Sequence, residues 1–170
     1  MVVVQGPQRL PFQVSSVSSQ DPDYPAVELL AQHPDCQGWQ SERYCSYPQE
    51  VELRLSAPSR LVQLQLLAHE HKIPEKIDIY VSNLRPGSSD PSEVVERRLG
   101  HLRFNDGERA GHQTRELKTV QFESVPALFL RLEFSGCHVN QHNFYNQVGL
   151  IAINIVGAFS CRFPAHLCQD

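Results

Sequence analysis

Apolar and polar residues alternate along most of this chain. In VELRL at 51–55, Val51, Leu53 and Leu55 fall on one side and Glu52 and Arg54 on the other. The same period of two runs through LVQLQLLA at 61–68, KIDIYVS at 76–82 and ALFLRLEF at 127–134. Successive side chains of a strand point to opposite faces, so each segment predicts a strand buried on one face, as antiparallel sheets require. Further strands are expected over 11–18, 97–104, 115–122 and 147–156. Between them lie clusters of Pro, Gly, Ser, Asn and Asp, at SAPSR (56–60), NLRPGSSDPS (83–92) and NDGERAGHQ (105–113), which read as turns and loops. Short strands at this spacing predict an all-β fold, an antiparallel sandwich or barrel.

Two segments depart from that pattern. In DPDYPAVELLAQHP, residues 26–32 predict two helical turns begun by Pro25 and stopped by Pro34, and SEVVERRL at 92–99 offers a single turn. In QVGLIAINIVG both faces are apolar, with Val148, Leu150, Ala152 and Val156 opposing Ile151, Ile153 and Ile155. Such a strand is either covered by its own chain or presented to a partner, and internal cover is the expectation.

Size and charge narrow the picture. The 170 residues, 41% of them apolar, suit one domain with a real core. The 15 basic and 19 acidic residues leave a net charge of −4 without any block of one sign, which argues against nucleic acid as a partner. Nowhere do the ~18 consecutive apolar residues of a membrane span occur, so a soluble, intracellular protein is expected. The five cysteines (Cys36, Cys45, Cys137, Cys161, Cys168) are odd in number and lack CxxC spacing, and read as free thiols.

Candidate chemistry is sparse. His69, His71 and Glu75 in LAHEHKIPEKI form an H-x-H-x3-E pattern that, with His138, would suit a cupin-like metal enzyme. Parity opposes this, since His69 and His71 share the register of Gln63 and Gln65, while Val62, Leu64, Leu66 and Ala68 have the other. His138 and His142 would share a helical face, but GCHVNQHNFYNQV lies between two strands, and its asparagines suit an ordered turn. Cys137 and His138 are adjacent and so point apart, and no nucleophile elbow or phosphate loop occurs. Asp21, Asp23, Glu50 and Glu52 read as solvated charge. Trp39 with Tyr44, Tyr47 and Pro48 forms either a hydrophobic plug for one end of the sandwich, the preferred reading, or a platform for a sugar.

The segments W-x4-YCSYPQEVEL, RLVQLQLLAHEHKIPEKIDIYVS, RELKTV and HVNQHNFYNQVGLIAINIVG together resemble the amino-terminal jelly-roll domain of the centrosomal protein of 104 kDa family. The likeness covers residues 11–157, and a weaker one extends to the jelly-roll subunit of intraflagellar transport and to discoidin-like modules. It implies a discoidin/galactose-binding-like jelly roll over 1–157, followed by an irregular tail at 158–170. It also implies a non-catalytic docking module without cofactor, bound to centriolar or ciliary protein partners in the cytoskeleton, at centrosomes and at the cilium tip. Tubulin binding in that family belongs to other domains. The loop at 136–146, with His138, Asn140, Asn143, Tyr145 and Asn146, is then the expected contact surface, together with any exposed part of the last strand. A discoidin-like glycan or calcium binder is a further alternative, although Asp35 lacks the oxygen-rich run that calcium needs.

Overall fold

The computed structural model describes residues 6–31, 33–84, 90 and 94–160. Its eight strands are β1 (Gln8–Arg9), β2 (Phe12–Val17), β3 (Trp39–Gln40), β4 (Gln49–Ala68), β5 (Lys76–Leu84), β6 (Val94–Arg103), β7 (Leu117–Phe134) and β8 (Gly149–Phe159). Every pairing between them is antiparallel. The segment expected to be helical is a short 3-10 helix, Ala26–Leu30, and the single turn expected over 92–99 gives way to β6 from Val94 onward.

Two long strands organise the sandwich. The expected strands 51–55 and 61–68 are one strand, β4, and those at 115–122 and 127–134 are one strand, β7. SAPSR is therefore a corner within a strand: the register of β4 on β7 breaks between Arg54 and Ser59. Before the corner β4 lies between β2 and β7, and β7 continues through β5 to β6. Beyond it β4 lies between β7 and β8, and β8 carries β1 and β3 on its far side. A strand that switches layers at an irregularity makes a closed edge of a two-layer β fold.

The alternation read from the sequence fills the space between layers. Val51, Leu53, Leu55, Ile77, Ile79, Val81, Leu130, Leu132 and Phe134 from one layer meet Leu61, Leu64, Leu66, Ala68, Ile153 and Ile155 from the other. A second irregularity, between Leu61 and Gln63, shifts the face: Leu61 and Leu64 are buried, whereas Val62, expected beside Leu64, is half-buried. The last strand is covered internally, since every residue from Val148 to Ala158 is buried or half-buried, and Phe159 alone of β8 is exposed. β8 passes the expected boundary at 157 by two residues. Most of the expected tail lies outside the described residues.

Gly38 permits the approach that seats Trp39. Its φ is 68°, and a Cβ there would stand 2.2 Å from the Leu150 carbonyl oxygen of β8. Among the described residues no helix is long and apolar enough to cross a membrane.

Candidate functional site

Four connections gather at one end of the sandwich. Pro74 bridges Cys137, the His138 amide donates to the Ile73 carbonyl, Gly149 donates to Lys72, and Tyr44 donates to Tyr145 at 2.7 Å. The loops after β3, β4 and β7 thus brace one another, the loop after β6 joins them where His138 meets the Phe104 carbonyl, and the 136–146 loop is the centrepiece.

Three polar side chains of that loop, His138, Asn140 and Asn143, are spent inward. Asn143, 8% exposed, closes on Gln147 in both directions: Nδ2 donates to the carbonyl at 2.8 Å and Oδ1 accepts from the amide at 3.1 Å. Asn140 donates to the His71 carbonyl at 2.7 Å and accepts from the His142 amide. His138 Nε2 donates to the Phe104 carbonyl at 2.7 Å. Asn146 takes a left-handed φ of 52°, which asparagine tolerates, and its carbonyl accepts from Tyr47 Oη.

Gln147, 1% exposed, anchors the far end. Its amide nitrogen donates to Asp21 Oδ2 and to the Ser41 carbonyl, and its oxygen accepts from Lys72 Nζ at 2.7 Å. Asp21 is not the solvated charge expected; it is 3% exposed. Burial pushes its carboxyl up, but the Asp23 amide, Gln147, Arg43 and Lys72 together hold it below the ordinary value.

Apolar side chains of the same end face outward. Val139 is 91% exposed, Phe144 80% and Tyr44 73%, while Tyr145 meets Tyr44 edge-on at 5.6 Å and carries the Arg43 guanidinium 4.3 Å from its ring centre. Trp39 is fully buried, 5.2 Å from the Phe134 ring, and its Nε1 donates to the Ser19 carbonyl. The plug reading therefore holds for Trp39 and fails for Tyr44, and Trp39 offers no face for a sugar.

The cupin-like set does not assemble. His69, His71 and Glu70 have ligand atoms within 4.8 Å of one another; Glu75 and His138 join no such group among the described residues. Nor does His69 leave on a polar face: β4 ends at Ala68, and His69 turns inward to 7% exposure. Its Nδ1 accepts from the backbone amides of His71 and Lys72, at 2.9 and 3.1 Å. Nε2 must then carry the proton; Gln40 Nε2 stands 3.3 Å from it and Gln40 Oε1 has no partner, so exchanging the two amide atoms would satisfy both. Burial pushes the Cys137 thiol up, so it makes a poor nucleophile. Asp35, exposed, joins no cation-binding group among the described residues.

The family described as "Centrosomal protein CEP104, N-terminal domain" matches residues 38–157. The chain belongs to this family. Human centrosomal protein of 104 kDa is 41% identical over 152 residues, 89% of this chain and 16% of the relative, and the mouse protein is 40% identical over a span of the same length. The chain thus spans about one sixth of the length of these centrosomal proteins. Among solved structures, the family 32 CBM of C. perfringens NanJ in complex with galactose superimposes with a TM-score of 0.65 at 13% identity, covering 88% of this chain and 98% of that one. Reduced XRCC1 bound to the DNA pol beta catalytic domain gives 0.61 at 15% identity, covering 87% and 97%. At such identities the likeness establishes the discoidin-like sandwich and nothing about ligands.

Sequence reasoning points to His138, Asn140, Asn143, Tyr145 and Asn146, and these lie at the braced end just described. It passes over Phe144, Val139 and Arg43, and it places Tyr44 in a plug. The available signal is an apolar pair, Phe144–Tyr145, inside a polar turn that offers no core for both rings.

Proposed function

We propose that the CEP104-family domain is a non-catalytic docking module that takes a protein partner on the sandwich end presenting Tyr44, Phe144 and Tyr145. One observation carries this reading: the loop turns His138, Asn140 and Asn143 to partners within the fold and leaves its aromatic rings outside, with Arg43 stacked on one of them. Exposed tyrosine, phenylalanine and arginine on a rigid support are the residue types that anchor protein interfaces. His138, Asn140 and Asn143 then position the surface, and Tyr145 and Asn146 belong to its exposed part. A partner at the centriole or the cilium tip fits the centrosomal relatives, and tubulin contact would fall to other parts of such longer proteins.

The test separates surface from scaffold. A Tyr44→Ala, Phe144→Ala, Tyr145→Ala triple variant should lose partners recovered from ciliated cells by the wild type, with a melting temperature close to that of the wild type. Equal recovery by a folded variant would remove this surface from the reading. Asn143→Ala, in contrast, should lower stability by about 1–3 kcal/mol in urea unfolding, because both backbone groups of buried Gln147 lose their partner.

A further inference from the structure

The two outer faces of the sandwich differ in chemistry. On the layer that carries β5 and β6, Arg131 pairs with Glu50, Glu96 and Glu133, and Asp78 pairs with Lys76 and Arg98, so that face is a network of ion pairs. On the other layer Leu64, Leu66 and Ala68 of β4 enter the core, which turns Gln63, Gln65 and Leu67 outward. Gln63 stands between Gln121 of β7 and Val156 of β8. Gln65 stands likewise between Thr119 and Asn154, and Leu67 between Leu117 and Ala152. None of these nine residues is charged. Gln121 donates to Gln63 at 2.9 Å, Asn154 to Gln65 at 2.9 Å and Gln65 to Thr119 at 3.3 Å, a ladder of amides across three strands. Beside it Leu117 is 55% exposed. A face with no charge at its centre lacks the mixed charges that ordinarily keep one molecule off another.

We propose that this face is the contact between two copies of the chain, packed sheet on sheet about a two-fold axis. Hydrogen-bonding chemistry is the first argument. Amides and hydroxyls both donate and accept, so a row of them complements its own copy, and no like charges meet across the centre. With the axis parallel to the strands and between β4 and β8, the register sets each Gln65 over the other copy's Asn154, and each Leu67 over its Ala152.

The rim is the second argument. Arg9, opposite Val156 on β1, and Glu123, two residues past Gln121 on β7, are exposed and form no ion pair among the described residues. They lie at opposite edges of the face and have opposite signs. The same axis carries Arg9 of each copy across to Gln121 and Glu123 of the other, so the pair forms twice. Three strands ~4.8 Å apart and three rows ~6.8 Å apart cover roughly 300 Å² in projection, which belongs to a reversible dimer and not to an obligate one. The face is built by strands and not by the loop end, so this assignment stands whether or not Tyr44, Phe144 and Tyr145 dock a protein.

Sedimentation equilibrium of the untagged chain, from micromolar to millimolar, reads the association. A monomer–dimer equilibrium with a Kd of about 10–100 µM is expected, at the weak end for specific contacts. Gln65→Glu places an unpaired carboxylate in the contact twice and should raise Kd more than ~tenfold. Arg9→Glu and Glu123→Arg should each raise it about three- to tenfold by setting like charges together, and the double variant should restore it. Gln65 is half-buried and the two rim residues are exposed, so these variants are expected to fold, and circular dichroism checks it. A chain that stays monomeric at millimolar concentration would overturn the assignment. So would a dimer unchanged in Gln65→Glu, or a double variant no tighter than its single parents. A dimer abolished by the Tyr44→Ala, Phe144→Ala, Tyr145→Ala variant would also overturn it, since that contact belongs to the loop end.

Discussion

Trp39→Ala is expected to cost about 3–5 kcal/mol, enough to consume much of the stability of a domain of this size. Trp39 is the largest of the fully buried side chains, packed at 5.2 Å on Phe134 from the opposite layer. Its removal leaves a cavity that the surroundings cannot close, because β3 pairs with β8 through Trp39 and Gln40 and Gly38 already holds the backbone against Leu150. The lost Nε1 bond also leaves the Ser19 carbonyl without that donor. Urea unfolding followed by far-ultraviolet circular dichroism reads the loss. Trp39→Phe should recover most of it, since the ring remains and one hydrogen bond of about 1 kcal/mol is given up. A cost of Trp39→Ala below about 1 kcal/mol would mean that the indole is not the plug described, and would return it to the surface as a ligand platform.

The same residue marks what a sequence can disclose. Alternation at Val51, Leu53 and Leu55, or at Ile77, Ile79 and Val81, states which side chains enter the core, because pleating ties parity to a face. Parity fails wherever the ladder slips. The irregularity at Leu61 and Gln63 moves Val62 out of its expected place, and the end of β4 at Ala68 frees His69 to turn inward. Pro58 and its neighbouring serines look like a turn because local chemistry is the same for a turn and for a strand that bends between layers. Only pairing on both sides of the corner, to β7 and β8, distinguishes the two.

Nor could local sequence separate Trp39 from Tyr44, or Asp21 from Asp23. Each pair shares a residue class and a neighbourhood, yet one member is buried and the other exposed. The distinction is made by residues far along the chain: Phe134 for the indole, and Gln147 with Lys72 for the carboxylate. The candidate surface follows the same logic. Asparagines announce an ordered turn through their own backbone bonds, which is local information, whereas the exposure of Phe144 depends on how the loops around it are already filled.

As pH falls from neutrality toward 4, His69 alone should remove up to about 3 kcal/mol of stability. Burial pushes this imidazole from its ordinary 6.5 down to about 4; Glu70 opposes the shift, and Lys72, His71 and Arg115 reinforce it. The unfolded chain therefore takes up the proton first. The contribution is fully present above pH 6.5, declines through the window between the two values, and changes no further below the lower one. The structural cause is the acceptor role of Nδ1: an imidazolium cannot accept from the His71 and Lys72 amides, so protonation abandons both bonds inside a nearly closed site. His71, also lowered chiefly by burial, acts in the same direction, whereas the lowered carboxyls of Asp21, Glu70 and Asp78 lose stability only as pH falls through the acidic range below their ordinary values. Unfolding measured in EDTA across this window should therefore show a slope that flattens in His69→Gln. An unchanged slope in that variant would assign the proton uptake elsewhere.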